Sequence, residues 1–169
     1  HRMGIVPGGA TALLAGAGPM RLGAVDYAVN HPNRPGLLVV TDIDPVRLER
    51  AAAVFPPEKA QALGVRLVYL LTDAATDVPD ALRALNGGRG YDDVYVYAPV
   101  PSLVETASAI LGYDGCLNFF AGPIDPSFSA RFNFYDVHYN AAHLAGNSGG
   151  NTADLVEALE LMASGVIDP

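Results

Sequence analysis

Residues 11–42, TALLAGAGPMRLGAVDYAVNHPNRPGLLVVTD, constrain the fold more than any other stretch of the chain. Residues 11–15 form an apolar run of buried-strand length, and Gly16-Ala17-Gly18 breaks it where a helix has to begin. The glycines have separate tasks: Gly16 suits a tight turn, and Gly18 has no side chain to hold a diphosphate away from the backbone. Pro19 suits the first helical position, where the remaining free N–H groups would face an anion, and Met20 and Arg21 follow in the first turn. A second apolar run, residues 37–41, ends in Asp42, about 20 residues past the glycine turn, where a ligand for ribose hydroxyls is expected. A glycine pair alone is weak evidence; the strand before it, the helix after it and the acid at this distance give it weight. Arg21 departs from the fingerprint, which has a third glycine there so that the helix can lie close on the strand.

The rest of the chain repeats the alternation. Residues 45–54 read as a helix capped by Asp44 before Pro45, which leaves Asp42 free at the strand end. Residues 58–63 add a short helix, 65–71 a third strand, 80–85 a helix and 93–98 a fourth strand rich in Val and Tyr. A helix over 102–111, with Ser102 as its N-cap, leads through a turn at 112–115 to a fifth strand over 116–121. A looser Pro- and Phe-rich segment, a short sixth strand at 143–146 and a glycine-rich loop at 147–151 precede the last helix. In that helix Leu155, Ala158, Leu159 and Met162 form an i, i+3, i+4, i+7 stripe, and Gly165 stops it. Strands alternating with helices predict an α/β fold, a doubly wound Rossmann sheet of six parallel strands in the order 3-2-1-4-5-6. Its carboxyl rim would gather Gly18, Asp42, Ile43, Asp73, Pro99, Ala121 and Gly122. Asp73 suits either an adenine contact or a simple turn role.

At 169 residues, half of them hydrophobic, the chain is sized for one domain. A net charge of −8 without a basic run gives no footprint for nucleic acid or an anionic membrane. The single cysteine, Cys116, excludes a disulfide framework and a cysteine metal cluster, so a soluble, cytoplasmic chain is expected. His31, His138 and His143 lack ligand spacing, and no metal site is expected here. Phe128, Phe132, Phe134, Tyr135 and Tyr139 either cover a core edge or form an interface.

GAGPM before a helix, VVTDIDPVRLERA around the second strand end, YAP after the fourth strand, DGCLNFFAGP at the fifth and the terminal DLVEALELMASG resemble the cofactor domain of medium-chain dehydrogenases/reductases. The sorbitol dehydrogenase and sorbose-1-phosphate reductase-like members are the most similar. The resemblance implies NAD(H) or NADP(H) binding and alcohol/carbonyl interconversion, with Asp42 holding the adenosine ribose, Arg47 packing near it and NAD(H) favoured. It also implies a separate catalytic domain, commonly with zinc, whose motifs this chain lacks. Residues 1–169 are therefore expected to be the dinucleotide-binding part of a longer enzyme, inactive alone, with a homo-oligomer compatible. Two other classes fit a glycine turn followed by an acid: an S-adenosylmethionine-dependent methyltransferase, whose sheet ends in an antiparallel strand, and a non-catalytic dinucleotide sensor.

Overall fold

The computed structural model describes residues 4–146 and 148–167. Its elements run β1 (Ala10–Leu14), a 3-10 turn (Pro19–Arg21), α1 (Leu22–Asn30), β2 (Leu37–Asp42), α2 (Pro45–Val54), α3 (Pro57–Ala62) and β3 (Arg66–Leu71). Then come α4 (Val78–Leu85), β4 (Tyr91–Val96), α5 (Pro101–Ile110), β5 (Leu111–Phe119), α6 (Phe134–Tyr139), β6 (His143–Gly146) and α7 (Thr152–Ala163). The six strands form one sheet in the order β3-β2-β1-β4-β5-β6, and every pairing is parallel.

Burial follows the two-residue period of a strand. Leu13 and its register partners Val40 and Tyr95 face α1 and α2, where Val25, Ala28, Leu48 and Ala51 pack on them. Ala12, Leu14, Val39, Val94 and Leu117 face the other way, against Leu82 of α4 and Val104, Ala107 and Ile110 of α5. β1 and β2 are buried along their whole length because helices cover both faces. The crossovers change side between β1 and β4, so a crevice opens at the carboxyl ends of those two strands.

Tyr91 ties this core together: its hydroxyl donates to the Leu82 carbonyl at 2.7 Å, and burial pushes the phenol pKa up. Tyr91→Phe should remove about 1 kcal/mol, lowering Tm by about 2–4 °C with dinucleotide affinity unchanged. Calorimetric melts of the two proteins check this, and an unchanged Tm would show the bond to be neutral.

Several local expectations are corrected. Ser102 does not cap α5: Pro101 takes the first helical position, Val100 is the N-cap, and no side chain closes that end. The turn expected at 112–115 is a bulge inside β5, since Tyr91 pairs with Leu111 but Asp93 with Cys116, and Asp114 adopts φ 56° within the inserted residues. The segment read as loose contains α6, capped by the Asn133 side chain accepting from the Tyr135 N–H. The aromatics there divide: Phe128 and Phe132 pack on the core beside Phe119, while Phe134, Tyr135 and Tyr139 are exposed. α7 forms as its stripe predicts, aided by a capping box between Asn151 and Asp154, but the stripe is not buried, with Leu155 61% exposed. Contacts to α1 tether the helix, where Glu157 accepts from the Tyr27 hydroxyl at 3.2 Å and lies 3.8 Å from His31 Nε2.

Candidate functional site

The chain leaves β1 through a turn pinned to the end of β2. The Ala15 N–H donates to the Thr41 hydroxyl at 3.3 Å and the Gly16 N–H to the Thr41 carbonyl at 2.8 Å. The left-handed residue of this turn is Ala15, at φ 55°, so Gly16 is not needed for its φ. Gly16 is needed for space: a Cβ there would lie 2.7 Å from the Leu13 Cβ and 2.8 Å from the Leu13 carbonyl oxygen. Gly18 is extended (φ −70°, ψ 159°) and precedes the 3-10 turn, with Pro19 in its first position. Neither that turn nor α1 has a side-chain cap, so no side chain accepts from the N–H groups of this terminus. Met20 lies in the same turn; its side chain is outside the described residues.

Arg21 does not wedge between α1 and β1, as its place in the fingerprint suggests it would. Val25, Ala28 and Val29 of α1 pack against Leu13 and Val40, and the Arg21 side chain runs outward to β4. Its Nη2 donates to the Tyr97 carbonyl at 2.6 Å, and Cζ lies 6.0 Å from the centre of the Tyr97 ring. Nη1 comes within 2.9 Å of the position a Cβ on Gly18 would take. A long side chain at the end of the turn reaches an acceptor across the crevice, so the helix stays on the sheet. Burial pushes the Tyr97 phenol up to about 12, with the Arg21 charge pulling the other way.

At the end of β2, Asp42 is 3% exposed. Its Oδ1 accepts from the Asp44 N–H at 3.1 Å, while Oδ2 is buried with no hydrogen-bond partner among the described residues. Asp44 caps α2 through the Val46 N–H at 2.9 Å, as its position before Pro45 predicts. Arg47 is shared between the two acids, with Nη1 3.9 Å from Asp42 Oδ1 and Nε 3.3 Å from Asp44 Oδ2. Ile43, 78% exposed, offers an apolar surface beside them. A buried carboxylate oxygen without a donor is unfavourable, and a ligand bringing hydroxyl donors would relieve it.

Asp73 follows β3, where the Thr72 N–H donates to the Asp42 carbonyl. Its carboxylate is turned inward on its own loop, accepting from the Thr76 hydroxyl at 2.7 Å and the Ala75 N–H at 3.0 Å. These two bonds, the hydroxyl first, hold its pKa below the ordinary 3.8. A depressed carboxylate adds stability that is present above the unfolded pKa and lost as pH falls through the folded one. Thr76→Val should therefore raise the Asp73 pKa toward its usual range and narrow that acid window, without changing ligand affinity; an NMR titration of the Asp73 carboxyl checks it.

Across the crevice, the Phe120 and Ala121 N–H groups donate to the Val96 carbonyl, which brings the end of β5 beside that of β4 and the exposed Pro99. A cavity of about 590 Å³ opens there, lined by Phe119, Phe120, Ala121, Gly122, Gly146 and Ser148. Gly16, Gly18, Pro19, Arg21, Asp42, Ile43, Arg47, Pro99, Ala121 and Gly122 thus share one rim, and Asp73 faces its own turn. Two further groups shape the rim: Thr41, signalled in the sequence only by a polar side chain in an apolar strand, and the Tyr97 carbonyl, which no sequence signal marks. A second cavity, about 530 Å³, lies at the opposite rim near Gly36, Arg66, Asn86 and Arg89. There Arg66 donates to the Leu85 carbonyl and Arg89 to the Asn86 carbonyl, closing the end of α4, so the first rim is the better candidate.

Among the described residues no three His, Cys, Asp or Glu side chains converge as metal ligands, and no helix is long and apolar enough to cross a membrane. His143 pairs with Asp114 at 2.7 Å.

The family profile described as zinc-binding dehydrogenase matches residues 37–164. The chain is 54% identical over its whole length to mannitol-1-phosphate 5-dehydrogenase of Aliivibrio fischeri, covering 40% of that protein. It is 49% identical over 96% of its length to L-sorbose 1-phosphate reductase of Klebsiella pneumoniae, covering 38% of it. The chain thus spans about 40% of the length of such relatives. Among solved structures, the alcohol dehydrogenase TADH of Thermus sp. ATN1 superposes with a TM-score of 0.75 at 22% identity, over 97% of this chain and 43% of that one. Benzyl alcohol dehydrogenase of Acinetobacter calcoaceticus gives 0.74 at 20%, over 97% and 42%. Both share the fold.

Proposed function

The chain belongs to the zinc-binding dehydrogenase family, and from that premise we propose that it is the dinucleotide-binding domain of a longer oxidoreductase acting on a polyol or sugar phosphate. The observation that carries this reading is the buried Oδ2 of Asp42, without a hydrogen-bond partner among the described residues, set at the end of β2 across from an uncapped glycine turn. A ribose diol supplies the donors that oxygen lacks, and the uncapped turn suits the diphosphate. Ile43 would lie against the adenine and Arg47 beside the ribose. Pro99, Ala121, Gly122 and the cavity at the ends of β5 and β6 would receive the nicotinamide half. The bound nicotinamide would accept or deliver a hydride at its C4; this chain's part is to hold and orient it. Catalytic groups and any zinc would come from the rest of the polypeptide, since the described residues offer no ligand set for a metal.

NAD(H) is favoured over NADP(H), because the Asp42 carboxylate accepts from ribose hydroxyls and repels a 2′-phosphate. Parallel titrations should give a lower Kd for NADH than for NADPH; the reverse order would show that Arg47 sets the preference.

The all-parallel sheet argues against a methyltransferase, as β6 joins β5 in parallel. A sensor remains distinguishable by turnover. The full-length protein should oxidise NADH in the presence of a ketose phosphate, whereas this chain alone should not. Dinucleotide binding without turnover on any polyol or sugar phosphate would favour the sensor.

A further inference from the structure

Arg21 places a cation inside the crevice, and neither the ribose site nor the fold accounts for it. Its guanidinium lies over Gly18, with Nη1 2.9 Å from where a Cβ would be, and is held by the 2.6 Å bond from Nη2 to the Tyr97 carbonyl. Gly18 is the residue whose missing side chain lets a diphosphate reach the backbone. The guanidinium therefore stands where that diphosphate would go, and the two cannot occupy the hollow together.

We propose that Arg21 is a displaceable plug of the diphosphate site which becomes its ligand. This rests on the dinucleotide reading above. In the unliganded chain the guanidinium fills the hollow over Gly18; when the dinucleotide arrives it leaves the Tyr97 carbonyl, turns aside and pairs with the diphosphate. The exchange is downhill because the guanidinium trades a bond to a neutral carbonyl for charge-assisted, bidentate bonds to phosphate oxygens. The side chain is free to make it: Arg21 is only partly buried, and among the described residues its guanidinium is hydrogen-bonded to Tyr97 alone. The plug also gives selectivity by chemistry. A ligand with a diphosphate displaces it and is repaid, whereas a bare nucleoside has nothing to offer the displaced cation.

The test is calorimetric titration of the full polypeptide that carries this chain with NADH and with adenosine, at low and high salt, for the parent, Arg21→Gln and Arg21→Lys. Arg21→Gln should weaken NADH roughly 10- to 100-fold, and Arg21→Lys less, with adenosine affinity unaffected. NADH affinity of the parent should fall with salt more steeply than that of Arg21→Gln. Should Arg21→Gln fail to fold, the parent alone decides: its NADH affinity must depend on salt and its adenosine affinity must not. A variant binding NADH as tightly as the parent, or a parent indifferent to salt, overturns the plug while leaving the dinucleotide reading intact. A parent that binds neither ligand overturns both.

Discussion

Asp42→Asn is expected to weaken NADH binding roughly ten-fold or more while leaving the unliganded fold at least as stable as the parent. The two signs separate a ligand from a structural residue. In the unliganded protein Oδ1 is engaged by the Asp44 N–H, a bond that the asparagine carbonyl can keep. Oδ2 is buried without a hydrogen-bond partner among the described residues, and the half-exposed Arg47, 3.9 Å from Oδ1, offsets the charge only in part, so the amide relieves a group whose burial costs about 1–3 kcal/mol. On the proposed reading that same oxygen would accept from the ribose hydroxyls, and an amide nitrogen in its place would offer a donor to a donor. The NADPH to NADH preference should also shift toward NADPH, since the repulsion of a 2′-phosphate is gone. Calorimetric titration and thermal melts of parent and variant check the two halves together. A destabilised variant with unchanged NADH affinity would make Asp42 a structural acid.

Gly16→Ala should lower stability by about 1–3 kcal/mol, or about 2–12 °C in Tm, and weaken dinucleotide binding with it. The added methyl meets the Leu13 Cβ and carbonyl, and that neighbour is backbone that cannot move aside cheaply. The turn is further pinned by two bonds to Thr41, so relief has to come from displacing the loop that faces the ligand. Gly23 provides the control. It is exposed in α1, and a methyl added there would have nothing within 4 Å, so Gly23→Ala should raise stability by about 0.5–1 kcal/mol through helix propensity alone. Equal effects at the two sites would show that crowding at Gly16 is not what the turn depends on.

What the sequence disclosed and what it withheld follow from the range of the forces involved. The buried strands were legible because apolar runs of strand length bounded by glycine and proline are local signals. Once strands alternate with helices, handedness leaves little freedom in strand order. Asp44 and Asp42 could be told apart because a cap before proline is also local. The direction of Arg21 was not legible, since its acceptor is the carbonyl of Tyr97, 76 residues away. Nor was the left-handed turn residue: glycine is the natural choice, but Ala15 takes that conformation, its N–H donating to the Thr41 hydroxyl and that of Gly16 to the Thr41 carbonyl. In α7 the stripe foretold a helix with an apolar side, which periodicity can do; it could not tell whether anything covers that side, and Leu155 and Leu159 stand exposed. Of the two roles open to Asp73, the structure displays the turn role, because Thr76 and Ala75 already engage its carboxylate.

The claim that the carboxyl rim of this sheet is a dinucleotide site is tested most directly by calorimetric titration of the chain with NADH, with S-adenosylmethionine as the competitor. The expected result is saturable one-to-one binding of NADH that ADP-ribose displaces and S-adenosylmethionine does not. Binding of S-adenosylmethionine in place of NADH, or an absence of NADH binding by the folded chain, would contradict it.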